Sequence, residues 1–266
     1  SAASDVYKRQ LPRRVLLLPV TGMLSGALLA MSFTLPMSQG ESEPTIAKGP
    51  VRTPAPPLAP PAPPHPNELP GPVGEGQFAM VTQDNRPFIT GATYASMPFV
   101  TPLNPAGPQE TMTRWVEGWG VEPGRADEGT VYVMGHAWAT APLVFNPFSE
   151  VVTADALNKP SESVESLSSY SVSRKSSDVL NGYRVMMRDG EGRERIWVVD
   201  DAFLIDKYEA IDDADLMDDS QKGRIVMIAC SVDGANDLGF NVVVVGHLED
   251  KPREPDSDTV TSETAV

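Results

Sequence analysis

Between about residue 77 and residue 248 the chain alternates short apolar runs with clusters of turn-forming residues. The runs read "QFAMV", "GTVYVMG", "YRVMMR", "RIWVVDDAFLI", "RIVMIAC" and "FNVVVVGHL". Each is rich in β-branched or aromatic side chains and bounded by Gly, Asp, Asn or charged residues, the pattern of strands. Between two of them "RDGEGRERIW" predicts a hairpin, with Gly190 and Gly192 supplying the positive φ of a tight turn. No long 3.6-residue period competes. Only "VFNPFSEVVTADALN" and "AIDDADLMDD" predict helices, of one or two turns. The serine-rich, aperiodic stretch "NKPSESVESLSSYSVSRKSS" predicts a long mobile loop. The class is therefore mainly β, most simply a closed β-barrel with short helices, because closure leaves no sheet edge unpaired.

The N-terminal third has a different texture. Residues 15–35, "VLLLPVTGMLSGALLAMSFTL", carry no charge over 21 positions. As a helix rising about 1.5 Å per residue they span roughly 30 Å, one hydrocarbon core. A transmembrane signal-anchor is expected over 11–36. Arg13 and Arg14 precede it and Glu41 and Glu43 follow, which predicts a single-pass protein of the cell membrane with its N-terminus cytoplasmic and its folded domain extracellular. The alternative is a cleaved signal peptide, whose apolar run is usually shorter; "MSFTLPMSQG" makes a poor cleavage site. Residues 1–10, "SAASDVYKRQ", show no periodicity and are expected to be a non-native leader. Residues 37–76 are proline-rich, so φ is locked and donors are missing, which predicts an extended extracellular linker. On that reading His65 has no preorganised neighbours. The folded domain is expected over 77–250 and an acidic disordered tail over 251–266.

A formal charge of −15 argues against a nucleic-acid partner, since phosphate binding draws on Lys and Arg. The acids gather at 200–219 and in the tail. The first cluster is expected to be a solvated face, because it lacks the ligand spacing of a calcium loop. One cysteine excludes an intrachain disulfide. With three histidines, one cysteine and no HExxH or CxxC spacing, no metal site and no cofactor are expected. Calcium activation is the one ion effect the acidic run raises, without support from its spacing.

The candidate chemistry lies at two predicted strand ends. In "GTVYVMGHAWA" the strand meets Gly135 and presents His136, and "RIVMIAC" ends on Cys230 in the same way. A thiolate is the attacking form of cysteine, and a neighbouring imidazole is what would serve it as acid, base or counter-ion. The plainer readings are a cysteine filling the core and a histidine making a structural hydrogen bond. His247, in "VVVVGHLED", sits near solvent at the last strand's end and is a weaker candidate. Trp115, Trp119 and Trp138 cluster around the His136 strand; Trp119 and Trp138 are candidates to line a substrate groove, with core packing as the alternative.

The order of basic flank, anchor, proline-rich stalk, "GWGVEPGRADEGTVYVMGHAW", a distant strand ending in Cys, and "NVVVVGHL" resembles the sortases of Gram-positive bacteria, in their housekeeping-like or class E and F forms. The resemblance covers about residues 77–248. It implies a β-barrel cysteine transpeptidase that cleaves an LPxTG-like C-terminal sorting signal of secreted proteins between Thr and Gly. The protein would pass through a thioacyl intermediate to an amine on a cell-wall precursor. By position, Cys230 would be the nucleophile and His136 the general acid.

The sequence departs from that family in two places. The strand before the nucleophile reads "VMIAC" where the family has TLxTC. The family's arginine on the following strand is replaced by Asn241 or Gly239, depending on register, and the only arginine after Cys230 is Arg253 in the tail. An amide can donate to an oxyanion, so Asn241 is the candidate substitute; otherwise it merely ends the "DGANDLGF" turn. Two other functions follow from the same residues: a non-catalytic sortase-like surface binding module, and a Cys/His hydrolase with water as acceptor.

Overall fold

The computed structural model describes residues 63–250. The leader, the apolar run at 15–35, most of the linker and the tail at 251–266 lie outside them. Among the described residues no helix is long and apolar enough to cross a membrane.

In chain order the elements are β1 (Gly76–Val81), β2 (Pro87–Pro98), β3 (Met112–Gly120), β4 (Val131–Met134), α1 (Asn146–Ala156), β5 (Glu162–Val164), β6 (Val172–Ser177), β7 (Arg184–Asp189), β8 (Glu194–Asp206), α2 (Ala214–Met217), β9 (Arg224–Asp233) and β10 (Asn236–Leu248). The strands are ordered β10-β9-β4-β3-β2-β1-β7-β8, and β8 pairs again with β10, so eight strands close into a barrel. At 13 residues β8 is long enough to serve three partners. Its first half pairs with β7, its second with β6, and β10 runs along nearly all of it.

Alternation along the strands sorts their side chains. Met227 and Ala229 of β9, Val242 and Val244 of β10 and Leu204 of β8 join the interior cluster, which α1 seals with Phe148 and Val152. The intervening Val226, Val243, Phe203 and Ile205 face outward, and there Leu216 of α2 and Val172 of β6 cover them. This part of the sheet is buried on both faces, which is why "RIVMIA" and "VVVV" are continuous rather than alternating.

Several expectations are corrected. The serine-rich stretch is no loop: it holds β5 and β6, anchored by Val172, which is 1% exposed, and paired to β8 from Arg174↔Ile205 to Ser177↔Ala202. Pairing supplies an order that its composition hides. Strands β2 and β3 had no counterpart among the predicted runs, because Gly91, Ala92, Ala95 and Ser96 weaken the β signal of "PFITGATYASMP". In the β7–β8 hairpin only Gly192 has positive φ, +84°; Gly190 is ordinary. The helix α1, of 11 residues, is longer than expected.

The linker boundary and the acidic run also differ. Residues 66–68 form a 3-10 turn, and Asn67 ties it to the barrel, donating to the carbonyls of Ile196 and Glu249 and accepting the Ile196 N–H, each at 2.9 Å. His65, expected to lack neighbours, accepts the Asn67 N–H through Nδ1 at 3.3 Å and places Nε2 3.6 Å from the Glu249 carboxylate. Within 200–219, Asp213 is fully buried. It pairs with the Arg174 guanidinium and caps α2 through the Leu216 N–H, so this part of the run is a structural anchor and not a solvated face.

Candidate active site

The site grows out of one strand pairing. Strand β4 runs parallel to β9 with Met134 beside Ile228, and the Gly135 N–H donates to the Ile228 carbonyl at 3.2 Å. Two residues beyond that pair stand His136, past the end of β4, and Cys230, still within β9. They begin from matching levels of neighbouring backbones about 4.8 Å apart. By parity Cys230 shares the outer face of the barrel with Val226 and Ile228. The thiol, the imidazole and Asn241 all line a single cavity of about 410 Å³.

Cys230 is partly exposed, so the buried-filler reading does not hold. It does not end its strand, as expected, because β9 continues to Asp233. Instead the ladder changes beyond it. From Val232 to Cys230 β9 takes two residues, while β10 takes four, from Asp237 to Asn241. The extra residues bulge out of the ladder immediately past the thiol and interrupt the pairing there. Behind Cys230, the buried Ser149 of α1 donates its hydroxyl to the Cys230 carbonyl at 2.7 Å.

His136 is held on both sides. A Cβ on Gly135 would lie 2.3 Å from the Phe145 ring, so only glycine lets the chain pass that ring and present the imidazole. The Phe145 N–H donates to the His136 carbonyl at 2.9 Å. His136 Nε2 lies 2.8 Å from the Pro105 carbonyl, which can only accept, so Nε2 carries a hydrogen and Nδ1 is the nitrogen left for proton exchange. Arg114 steadies that loop, donating to the Ala106 carbonyl at 2.8 Å and the Ser96 carbonyl at 3.1 Å.

The remaining walls are apolar. Trp119 stacks on Tyr132 with ring centroids 3.7 Å apart and planes 11° from parallel. The Tyr132 hydroxyl donates to the Leu216 carbonyl at 2.8 Å, and burial pushes its phenol up, so it stays a neutral donor. Leu216 and Met217 of α2 close the opposite side. Asn241 is the Cα partner of Cys230 on β10, within a strand and not at the end of a turn. Its side chain makes no hydrogen bond to another described residue, which leaves its amide free to donate.

The three candidates Cys230, His136 and Asn241 are thus together, and Trp119 is with them. Trp138 is not: it is 49% exposed and absent from the cavity lining, its backbone held instead by the Asn146 side chain. Trp115 packs against the interior cluster. His247 pairs with Asp200 at 2.7 Å and is also outside the lining. Sequence reasoning missed Ser149, Pro105 and Lys207, of which Lys207 alone carried a signal, as a cation inside an acidic run. Among the described residues no group of three or more His, Cys, Asp or Glu is arranged to hold a metal ion.

A thiol on β9 and an imidazole just past the end of β4 in one cavity, with a free amide on β10 beside the thiol, define a candidate cysteine acyl-transfer centre on a closed eight-stranded barrel. No family model matches the chain, and no curated protein matches it. The solved structures it resembles are sortases. Sortase A of Listeria monocytogenes matches at 11% identity and TM-score 0.35, over 66% of this chain and 88% of that one. Sortase A of Corynebacterium diphtheriae matches at 10% and 0.39, over 68% and 63%. Sortase C1 of Streptococcus agalactiae matches at 12% and 0.40, over 66% and 68%. At these identities and scores the likeness transfers no residue role and no activity.

Proposed function

We propose that this chain is a cysteine transpeptidase of sortase type, acting on secreted proteins with an LPxTG-like C-terminal signal. The observation that carries the reading is that His136 and Cys230 line one cavity, each two residues beyond the Met134↔Ile228 pair that ends the parallel β4–β9 ladder. The Cys230 thiolate attacks the Thr carbonyl carbon, and the C–N bond to Gly breaks. His136 delivers the proton from Nδ1 to the departing amine while Pro105 keeps Nε2–H engaged and the ring oriented. A cell-wall amine then attacks the thioester carbonyl, returns a proton to His136 and releases the thiolate. The Asn241 amide donates to the oxyanion, an interaction whose loss costs about 3 kcal/mol in other enzymes. The wall of Trp119, Leu216 and Met217 takes the apolar residue of the signal. Residues 11–36 anchor the protein in the cell membrane, with the barrel outside.

One observation favours a second reading, a non-catalytic surface binding module: among the described residues no arginine lines the cavity. The two separate on the purified chain mixed with a fluorescent LPxTG-type peptide. A thioacyl adduct seen by mass, absent in Cys230→Ala and resolved faster by added amine, supports the transpeptidase. Resolution by water without amine preference means a hydrolase, and peptide binding without adduct means the module. Asn241→Arg is informative next: faster acylation is expected if residue 241 faces the oxyanion.

A further inference from the structure

Among the described residues Lys207 is the one lysine or arginine that lines the cavity, and no aspartate or glutamate does. In a chain of formal charge −15 this inverts the local sign. The neighbouring acids do not neutralise it. Asp206 accepts the Tyr208 N–H at 2.8 Å and Glu209 accepts the Ser173 N–H at 3.1 Å, while Lys207 forms no ion pair with any described residue.

The ladder shows what this cation can reach. Phe240 pairs with Asp206, and the next residues, Gly239 and Lys207, are joined by the Lys207 N–H donating to the Gly239 carbonyl at 3.2 Å. Gly239 has no side chain, and a Cβ there would meet nothing within 4 Å, so the space across β10 toward Asn241 is open. Lys207 stands two strands and two residues from Cys230, about 10 Å across and about 7 Å along. That separation of roughly 12 Å equals three to four residues of extended peptide, and the lysine stem shortens it.

We propose that Lys207 is a specificity-determining residue that selects acyl-donor peptides with a carboxylate side chain within two residues of the scissile bond. The ammonium pairs with that carboxylate while the apolar wall holds the adjacent apolar side chain. The proposal rests on the acyl-transfer reading for where the peptide lies. The rest of the chain repels anions, so a preference for an acidic peptide has to come from this cation.

The test uses the full chain carrying Cys230→Ala and two labelled peptides, LPETG and LPQTG, with binding read by fluorescence anisotropy. The acidic peptide is expected to bind about threefold to tenfold tighter at low salt, with the advantage shrinking as salt rises. Lys207→Gln should remove the difference, and Lys207→Glu should make LPKTG the preferred peptide. Equal affinities in the Lys207 protein, a preference that survives Lys207→Gln, or no binding of either peptide overturns the proposal. Failure of the acyl-transfer reading looks different: in the full chain with Cys230 intact no adduct forms with either peptide, while the charge preference in binding persists.

Discussion

Ser149 donates its hydroxyl to the backbone carbonyl of Cys230 at 2.7 Å, and so fastens α1 to the strand that carries the thiol. Ser149 is completely buried. In Ser149→Ala the Cys230 carbonyl loses this partner. The loss should be about 1 to 2 kcal/mol, or roughly 2 to 8 °C in thermal midpoint. Thermal unfolding by circular dichroism checks the stability, and the rate of Cys230 alkylation by iodoacetamide checks the thiol, which should react faster as its strand loosens.

Gly135 and Phe145 form a second support, beneath His136. Adding a methyl in Gly135→Ala drives it into the ring, which overpacks the site at about 1 to 3 kcal/mol and displaces the imidazole. Acylation of Cys230 by an LPxTG-type peptide should fall by at least tenfold. The double variant Gly135→Ala/Phe145→Leu, which makes room, should recover part of the loss; no recovery would mean the glycine acts in some other way.

The two tryptophans singled out for the substrate should part company. Trp119 lines the cavity at 8% exposure, and Trp119→Leu should weaken peptide binding severalfold as well as lower stability. Trp138 is outside the cavity, so Trp138→Ala should leave peptide affinity unchanged and stability within about 0.5 kcal/mol. Titration of both variants with a labelled peptide decides it.

Asp189 sets an acid limit on the fold. Burial opposes its ionisation, but hydrogen bonds from the N–H groups of Val73, Glu191 and Arg193 and from the Arg193 guanidinium outweigh burial and hold its pKa down to about 2, from 3.8. A depressed carboxylate contributes stability that is full above its unfolded pKa and disappears as pH falls through the folded one. The thermal midpoint should therefore drop between about pH 4 and about pH 2. Asp189→Asn should be less stable at neutral pH and flatter over that window, and parallel acid slopes for the two proteins would rule this out.

Much of the barrel is legible in the chain because its central strands are buried on both faces. A continuous run such as "RIVMIA" needs no partner to be recognised as a strand. Strands β2 and β6 are not legible in that way. "PFITGATYASMP" and "VSRKSS" have weak β propensity, and they are strands because β1, β3 and β8 offer them unpaired backbone groups. The same contrast holds at the site. Cys230 and His136 stand out by scarcity, being the single cysteine and one of three histidines. Ser149 and the Pro105 carbonyl are ordinary groups that nothing in their own neighbourhoods marks, and Lys207 is marked only as a cation inside an acidic run.

From residue order alone one learns that this chain has a mainly β domain with one thiol and two imidazoles at the ends of apolar segments. That information is local: propensity, alternation and composition act within a few residues of chain. Only the folded barrel decides that β4 lies beside β9 in parallel, that Cys230 faces outward, and that Trp119 rather than Trp138 joins the cavity. Those outcomes depend on register between segments some 90 residues apart, where a shift of one residue turns every side chain to the opposite face of the sheet.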